Sequence, residues 1–170
     1  GFQKEGKAFF EKMRGMWALA IYDVKKGEIV LSRDHFGIKP LYYAIQNNKI
    51  YFASEIKALK KITGPFTSNA EAYYEFYNLG YFLEENTCFK EVKKVLPGEV
   101  VVWNLESHSL QKEYLRLVPV DKKEINFEEA VELVDTAIED SVVKHYISDV
   151  PVGLLLSGGA DSSLIAAFSK

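Results

Sequence analysis

The chain has 170 residues, 48% of them hydrophobic and 26% charged, with a net charge of −3. That is a globular composition with room for one domain, or one and part of a second, and its mild acidity gives no bulk attraction to nucleic acid or to an anionic membrane. No apolar run approaches a spanning helix, the opening residues do not read as a secretory signal, and Cys88 with three scattered histidines gives neither an internal disulfide nor a zinc pattern.

Phe2 to Met13 carries Phe2, Ala8, Phe9, Phe10 and Met13, which predicts an amphipathic helix ended by Gly15. Met16 to Tyr22 is apolar on both faces, the pattern of a central strand covered on both sides. Asp23 to Gly27 is a hairpin turn, with its glycine where a positive φ is needed. Glu28 to Arg33 returns as a second strand. Asp34 to Gly37 turns the chain. Leu41 to Ile45 is a third strand, Asn47-Asn48 a tight turn, and Lys49 to Ser54 a fourth strand. Glu55 to Lys61 is a short helix capped by Ser54. Consecutive hairpins predict an antiparallel meander. Arg33 and Asp34 read as an adjacent ion pair locking a turn rather than as catalytic groups. His35 reads as a packing or surface residue, and Glu55 as a charge that favours the helix dipole.

Asn69 caps a helix running to Leu79, with Tyr73, Phe76 and Tyr77 as its apolar core stripe. Residues 82–87 are irregular. Cys88 and Phe89 are expected to pack, and Cys88 has no histidine nearby to make it a nucleophile. Leu96-Pro97-Gly98 is a turn. Glu99 to Trp103 and Leu110 to Leu115 form a hairpin. From Val118 to Ile125, Pro119 and a run of charges read as a linker. Asn126 caps a long helix, Glu129 completes its capping box, and Phe127, Ala130, Val131, Val134, Ala137, Ile138 and Val142 recur at helical spacing. This helix is expected to pack on a sheet begun by Val152 to Leu156. Composition and topology change along the chain, giving domains at 1–118 and 126–170 joined by a linker at 119–125.

The stretch with most chemistry is Leu154 to Ala166. Val152 to Leu156 has the length and composition of a buried strand. Gly158 and Gly159 follow, where backbone can approach a ligand with no Cβ in the way. Ser162, Ser163 and the residues after them open a helix, whose free N–H groups and positive dipole end suit phosphate. Ser157, Ser162 and Ser163 add hydroxyl donors. Asp161 would repel phosphate, and makes sense if it holds a divalent cation that bridges to the phosphates. The plain alternative is a strand-to-helix turn with a serine cap. A Gly-Lys-Ser/Thr ending is missing, which disfavours an ordinary P-loop enzyme.

The run Ser157-Gly158-Gly159-Ala160-Asp161-Ser162-Ser163 resembles the pyrophosphate loop of the ATP pyrophosphatases. Ser148-Asp149-Val150-Pro151-Val152-Gly153 in front of it resembles the glutamine-hydrolysing asparagine synthetases. Ala160 stands where that family usually has a larger aliphatic residue. Three earlier words are similar to the class II glutamine amidotransferase domains of the same family: Arg14 to Asp23, Ser32 to Tyr43, and Phe52 to Leu59. Their order and spacing extend the resemblance over nearly the whole chain.

The resemblance implies an α+β fold and then an α/β fold. The first would be the C-terminal part of an N-terminal-nucleophile αββα sandwich, and the second the start of an adenine-nucleotide α-hydrolase-like parallel sheet. It implies an ATP-dependent carbon–nitrogen ligase that uses glutamine to convert aspartate to asparagine, with glutamine, aspartate and ATP as substrates. Ser157, Gly158, Gly159, Ser162 and Ser163 would hold pyrophosphate, Asp161 Mg²⁺, and Leu155 the adenosine part. No catalytic residue is assigned in this chain. The family's nucleophile is an N-terminal cysteine acting with its own amine as base, and position 1 is Gly1, so the chain reads as an internal piece expected to be inactive alone. A cytoplasmic homodimer without nucleic-acid or membrane partners is expected. Two alternatives stand beside this reading: a related amidotransferase acting on another carboxylate, such as a sugar acid of a surface polysaccharide, and an inactive nucleotide-binding module.

Overall fold

The computed structural model describes residues 1–116, 122 and 124–169. The chain divides into two compact units, Gly1–Pro119 and Val120–Lys170. The linker expected at 119–125 lies largely outside the described residues.

The first unit opens with two short helices, α1 (Phe2–Glu5) and α2 (Ala8–Glu11), where one helix to Met13 was expected. Gly6 at φ 61° separates them, because a positive φ cannot continue a right-handed helix. Both still present aromatic rings to one side, and those of Phe2 and Phe10 stack with centroids 5.5 Å apart. Next come β1 (Ala18–Asp23) and β2 (Glu28–Arg33), paired from Ala18↔Arg33 to Asp23↔Glu28. The Asp23 carboxylate accepts from the backbone N–H of Lys25 and Lys26 and closes the turn. The second hairpin, β3 (Tyr42–Gln46) and β4 (Lys49–Ala53), turns through Asn47 and Asn48 at φ 50° and 57°, the left-handed pair that matches strand twist.

Helix α3 (Ile56–Thr63) starts one residue later than expected. Glu55 occupies the cap position without a side-chain cap bond, so Ser54 does not cap the helix. Helix α4 (Ala70–Leu79) is capped as its sequence predicts, the Asn69 side chain accepting from the Ala72 N–H. Its expected core stripe is a correction: the buried residue is Ala72, while Tyr73, Phe76 and Tyr77 are 37%, 42% and 83% exposed. Tyr73 and Phe76 rest on the Phe82 ring instead. The small Ala72 side chain makes the close contact, and helical spacing alone does not say which stripe will. Three strands complete the unit: β5 (Val92–Lys94), β6 (Glu99–Asn104) and β7 (Leu110–Tyr114).

The strands do not form one meander. They build a sheet in the order β1-β2-β6-β7 and a second in the order β4-β3-β5. Each hairpin obeys its local turn signals, but β2 takes β6 as its other partner, from Glu28↔Asn104 to Ser32↔Val100. That long-range pairing leaves no trace in local patterning. The strand read as central, β1, is therefore an edge strand among the described residues. Both of its faces meet apolar neighbours, but it is hydrogen-bonded on one side only.

Three buried clusters show the layering. Phe10, Trp17, Val30, Val100, Val102 and Leu115 fill the space between α1–α2 and the first sheet. Leu31, Leu41, Tyr43, Val95 and Val101 lie between the two sheets. Ala44, Leu59 and Val92 pack the second sheet against α3. Val101 faces opposite to Val100 and Val102, the two-residue alternation of a strand buried on both faces. The unit is thus α+β, with two antiparallel sheets between helical layers.

The second unit holds α5 (Phe127–His145) and α6 (Ala160–Phe168), which pack on one another. The Asn126 side chain accepts from the Glu129 N–H at 2.8 Å, and this half of the capping box alone forms. The strand expected at Val152 to Leu156 is absent. A strand needs a neighbour for its N–H and C=O groups, and no described residue of this unit supplies one. Helix α5 therefore packs on α6, not on a sheet.

Candidate functional site

The loop before α6 carries most of the predicted site. Gly158 adopts φ 82°, a left-handed conformation that glycine reaches without strain. Gly159 is the N-cap, with no side-chain cap bond. The helix begins at Ala160, earlier than the serines expected to open it, so Asp161 lies in its first turn. There its charge complements the helix dipole.

The turn brings Ser157 and Ser162 together, their hydroxyl oxygens 3.0 Å apart. Ser162 Oγ donates to the Gly159 carbonyl at 3.1 Å, and the Ser163 N–H donates to the same carbonyl at 3.1 Å. The N–H groups of Ala160, Asp161 and Ser162 precede the first intrahelical bond and have no acceptor within the helix. Glycines, hydroxyls and N–H groups thus converge on one exposed loop. Leu155 beside it is 95% exposed. This donor set fits an oxyanion.

Asp161 stands apart from that cluster. It borders a cavity of about 460 Å³ between α5 and α6, walled by Ile138, Val142, Leu164 and Ile165. No group of three or more His, Cys, Asp or Glu suited to a metal ion occurs among the described residues. The single Asp161 carboxylate is a candidate ligand for a divalent cation.

In the first unit, Arg33 and Asp34 lock a turn, but not through each other. The Arg33 guanidinium donates to the carbonyls of Gly37, Lys39 and Val95 at 2.5, 2.7 and 2.7 Å. The Asp34 carboxylate, 1% exposed, accepts from the N–H groups of Phe36, Ile38 and Lys39. Burial alone would raise its pKa, but these bonds outweigh burial and hold the pKa below the ordinary carboxylate value. His35 packs edge-on against Trp17, as a packing residue should. Cys88 is half-buried, and burial pushes its thiol pKa up, away from thiolate chemistry.

One cluster escaped the sequence reading. Glu99 is fully buried between the sheets, near Lys112, Glu85 and Tyr43. The available signal was strand alternation: Glu99, Val101 and Trp103 share one face of β6 and are paired with Tyr114, Lys112 and Leu110 of β7.

Two antiparallel sheets between helices define an α+β unit, and a separate unit carries a hydroxyl-rich loop at a helix head. The glutamine amidotransferase domain family matches residues 1–115, and the chain belongs to that family; the asparagine synthase family matches residues 133–170. The chain is 38% identical over 161 residues to asparagine synthetase [glutamine-hydrolyzing] 1 of Bacillus subtilis, covering 94% of this chain and 25% of that protein. It is 32% identical over 170 residues to asparagine synthetase B [glutamine-hydrolyzing] of Escherichia coli, covering 99% of this chain and 26% of that protein. The chain therefore spans about a quarter of the length of these relatives. No helix among the described residues is long and apolar enough to cross a membrane.

Proposed function

We propose that the chain is part of a glutamine-dependent asparagine synthetase, a ligase that converts ATP, aspartate, glutamine and water to asparagine, glutamate, AMP and pyrophosphate. The observation that carries this reading is the tandem arrangement of the two family matches on one chain, at 1–115 and 133–170. The first unit would belong to an N-terminal-nucleophile αββα sandwich that releases ammonia from glutamine. The second would begin an adenine-nucleotide α-hydrolase-like sheet.

Within this reading the loop residues have separate tasks. Ser157, Ser162 and Ser163, with the backbone of Gly158 and Gly159, hold the pyrophosphate part of ATP. Leu155 lies against the adenosine. Asp161 holds Mg²⁺, which when bound neutralises charge on the departing pyrophosphate. Adenylation turns the acceptor hydroxide into a good leaving group, and donors fixed where charge develops lower the barrier. No residue of this chain is assigned the part of glutaminase nucleophile. The working protein is a homodimer.

The test is pyrophosphate release by the intact protein with ATP, glutamine and a series of carboxylic acids. Release that depends on aspartate supports the reading. Release with a sugar acid and not with aspartate would move the protein to another acceptor, and ATP binding without any release would make it a nucleotide-binding module.

A further inference from the structure

Between the two sheets of the first unit lies a polar cluster that no step of the ligase reaction uses. Glu99 heads β6 and is 0% exposed. One of its oxygens, Oε2, accepts from the Leu96 N–H at 2.7 Å. The other, Oε1, is buried without a hydrogen-bond partner, and its nearest cation is Lys112 Nζ at 3.8 Å. Lys112, on β7, is committed elsewhere: it bonds Glu85 and stands 5.9 Å over the Tyr43 ring. Lys93 on β5 also reaches Glu85, at 3.4 Å. The guanidinium of Arg33 on β2 is spent on backbone carbonyls. The groups facing Glu99 are therefore Lys112, Tyr43 and Glu85, with Lys93 one step beyond.

This arrangement fits one charge state. A buried carboxylate with an unpartnered oxygen carries a desolvation penalty that a neutral carboxyl largely escapes. Lys112 links the sheets through the other carboxylate: it belongs to the first sheet, while Tyr43 and Lys93 belong to the second. We propose that Glu99, Lys112, Glu85 and Tyr43 form a proton-operated latch between the two sheets, in which neutral Glu99 leaves Lys112 on Glu85 and Tyr43, and ionised Glu99 draws Lys112 away and loosens the second sheet.

Burial raises the Glu99 pKa despite the opposing Leu96 bond and Lys112 charge. Burial would lower the Lys112 pKa, but its bonds to Glu85 and Tyr43 overcome that and keep it charged. The folded chain thus keeps a proton that the unfolded chain releases from the ordinary glutamate pKa upward. The latch is complete while Glu85 is ionised and Glu99 is neutral. Its contribution to stability falls as pH rises from the ordinary glutamate value to the raised Glu99 value, and it is lost on acidification once Glu85, whose pKa is lowered, takes up a proton.

The experiment is hydrogen exchange of the β3 amides across pH in the full-length protein, expressed as protection relative to intrinsic exchange. Carbon-13 observation of the Glu99 carboxyl is made in parallel. Protection at Tyr43 and Ala44 is expected to fall about tenfold as Glu99 ionises. Glu99→Gln should stay protected and flat across the same range, and Lys112→Met should be flat at the lower level. Should Glu99→Gln follow the wild-type profile, or the carboxyl titrate without any change in β3 protection, the latch does not exist.

Discussion

The hydroxyls of Ser157 and Ser162 meet at 3.0 Å across a glycine turn. Ser157 is exposed and Ser162 half-buried, so the contact is not a core bond, and it holds both hydroxyls on the glycine loop. Replacing either serine with alanine should weaken ATP binding by the intact protein roughly ten- to hundred-fold, the order of one lost hydrogen bond to a charged group. Melting temperature should hardly move for Ser157→Ala, since exposed substitutions stay within about 0.5 kcal/mol. Calorimetric titration with a non-hydrolysable ATP analogue checks this, and unchanged affinity in both variants would count against the phosphate loop.

Asp34→Asn should destabilise the first unit by about 2–4 kcal/mol, because three backbone N–H groups converge on a buried carboxylate. The sign of the pH dependence follows from its depressed pKa. Its contribution is present above the ordinary aspartate pKa and is lost as pH falls towards the lower folded value. Denaturant unfolding of wild type and variant at several pH values should show the gap closing on acidification.

Two glycines share a positive φ but differ in what a side chain would meet. Gly37 and Gly6 have φ of 62° and 61°. A Cβ on Gly37 would stand 2.8 Å from Pro97 Cγ and 3.1 Å from Arg33 Cζ, while one on Gly6 meets nothing within 4 Å. Gly6, at ψ −141°, lies in a region that essentially only glycine populates, so Gly6→Ala should cost about 1–3 kcal/mol through backbone strain alone. Gly37→Ala adds a collision with Pro97 and Arg33 worth about 1–3 kcal/mol, as in overpacked cores. A Gly37→Ala loss below about 1 kcal/mol in thermal unfolding would mean that the Arg33 turn is slacker than its hydrogen bonds imply.

At the helix heads, Asn69→Ala and Asn126→Ala should each cost about 1 kcal/mol, since each side chain accepts one otherwise unpaired N–H. Helical circular dichroism during thermal unfolding reads the loss, and Asn→Asp at either position should restore most of it.

The elements legible in the sequence were those fixed by neighbours along the chain. The strand Glu28 to Arg33, both early hairpins and both asparagine caps needed only turn and cap chemistry. The misread features depended on distant residues. Nothing near Ile29 announces Trp103 as its partner, so two sheets looked like one meander. Tyr73, Phe76 and Tyr77 keep helical spacing, but burial went to Ala72. Val152 to Leu156 has strand composition and no strand to pair with among the described residues of its unit. The glycines and serines at 157–163 stood out because their residue types are chosen by backbone shape and donor chemistry. Glu99 did not, since a lone glutamate in a valine-rich strand shows its isolation only when the second sheet is in place.

The most direct test of the ligase reading follows an oxygen atom. The intact protein is supplied with ATP, glutamine, Mg²⁺ and aspartate carrying ¹⁸O in its β-carboxylate, and the products are weighed by mass spectrometry. Adenylation followed by attack of ammonia predicts one ¹⁸O in AMP, with asparagine and pyrophosphate formed in equal amounts. Asparagine formed with ADP and labelled inorganic phosphate, or AMP formed without label, would contradict it.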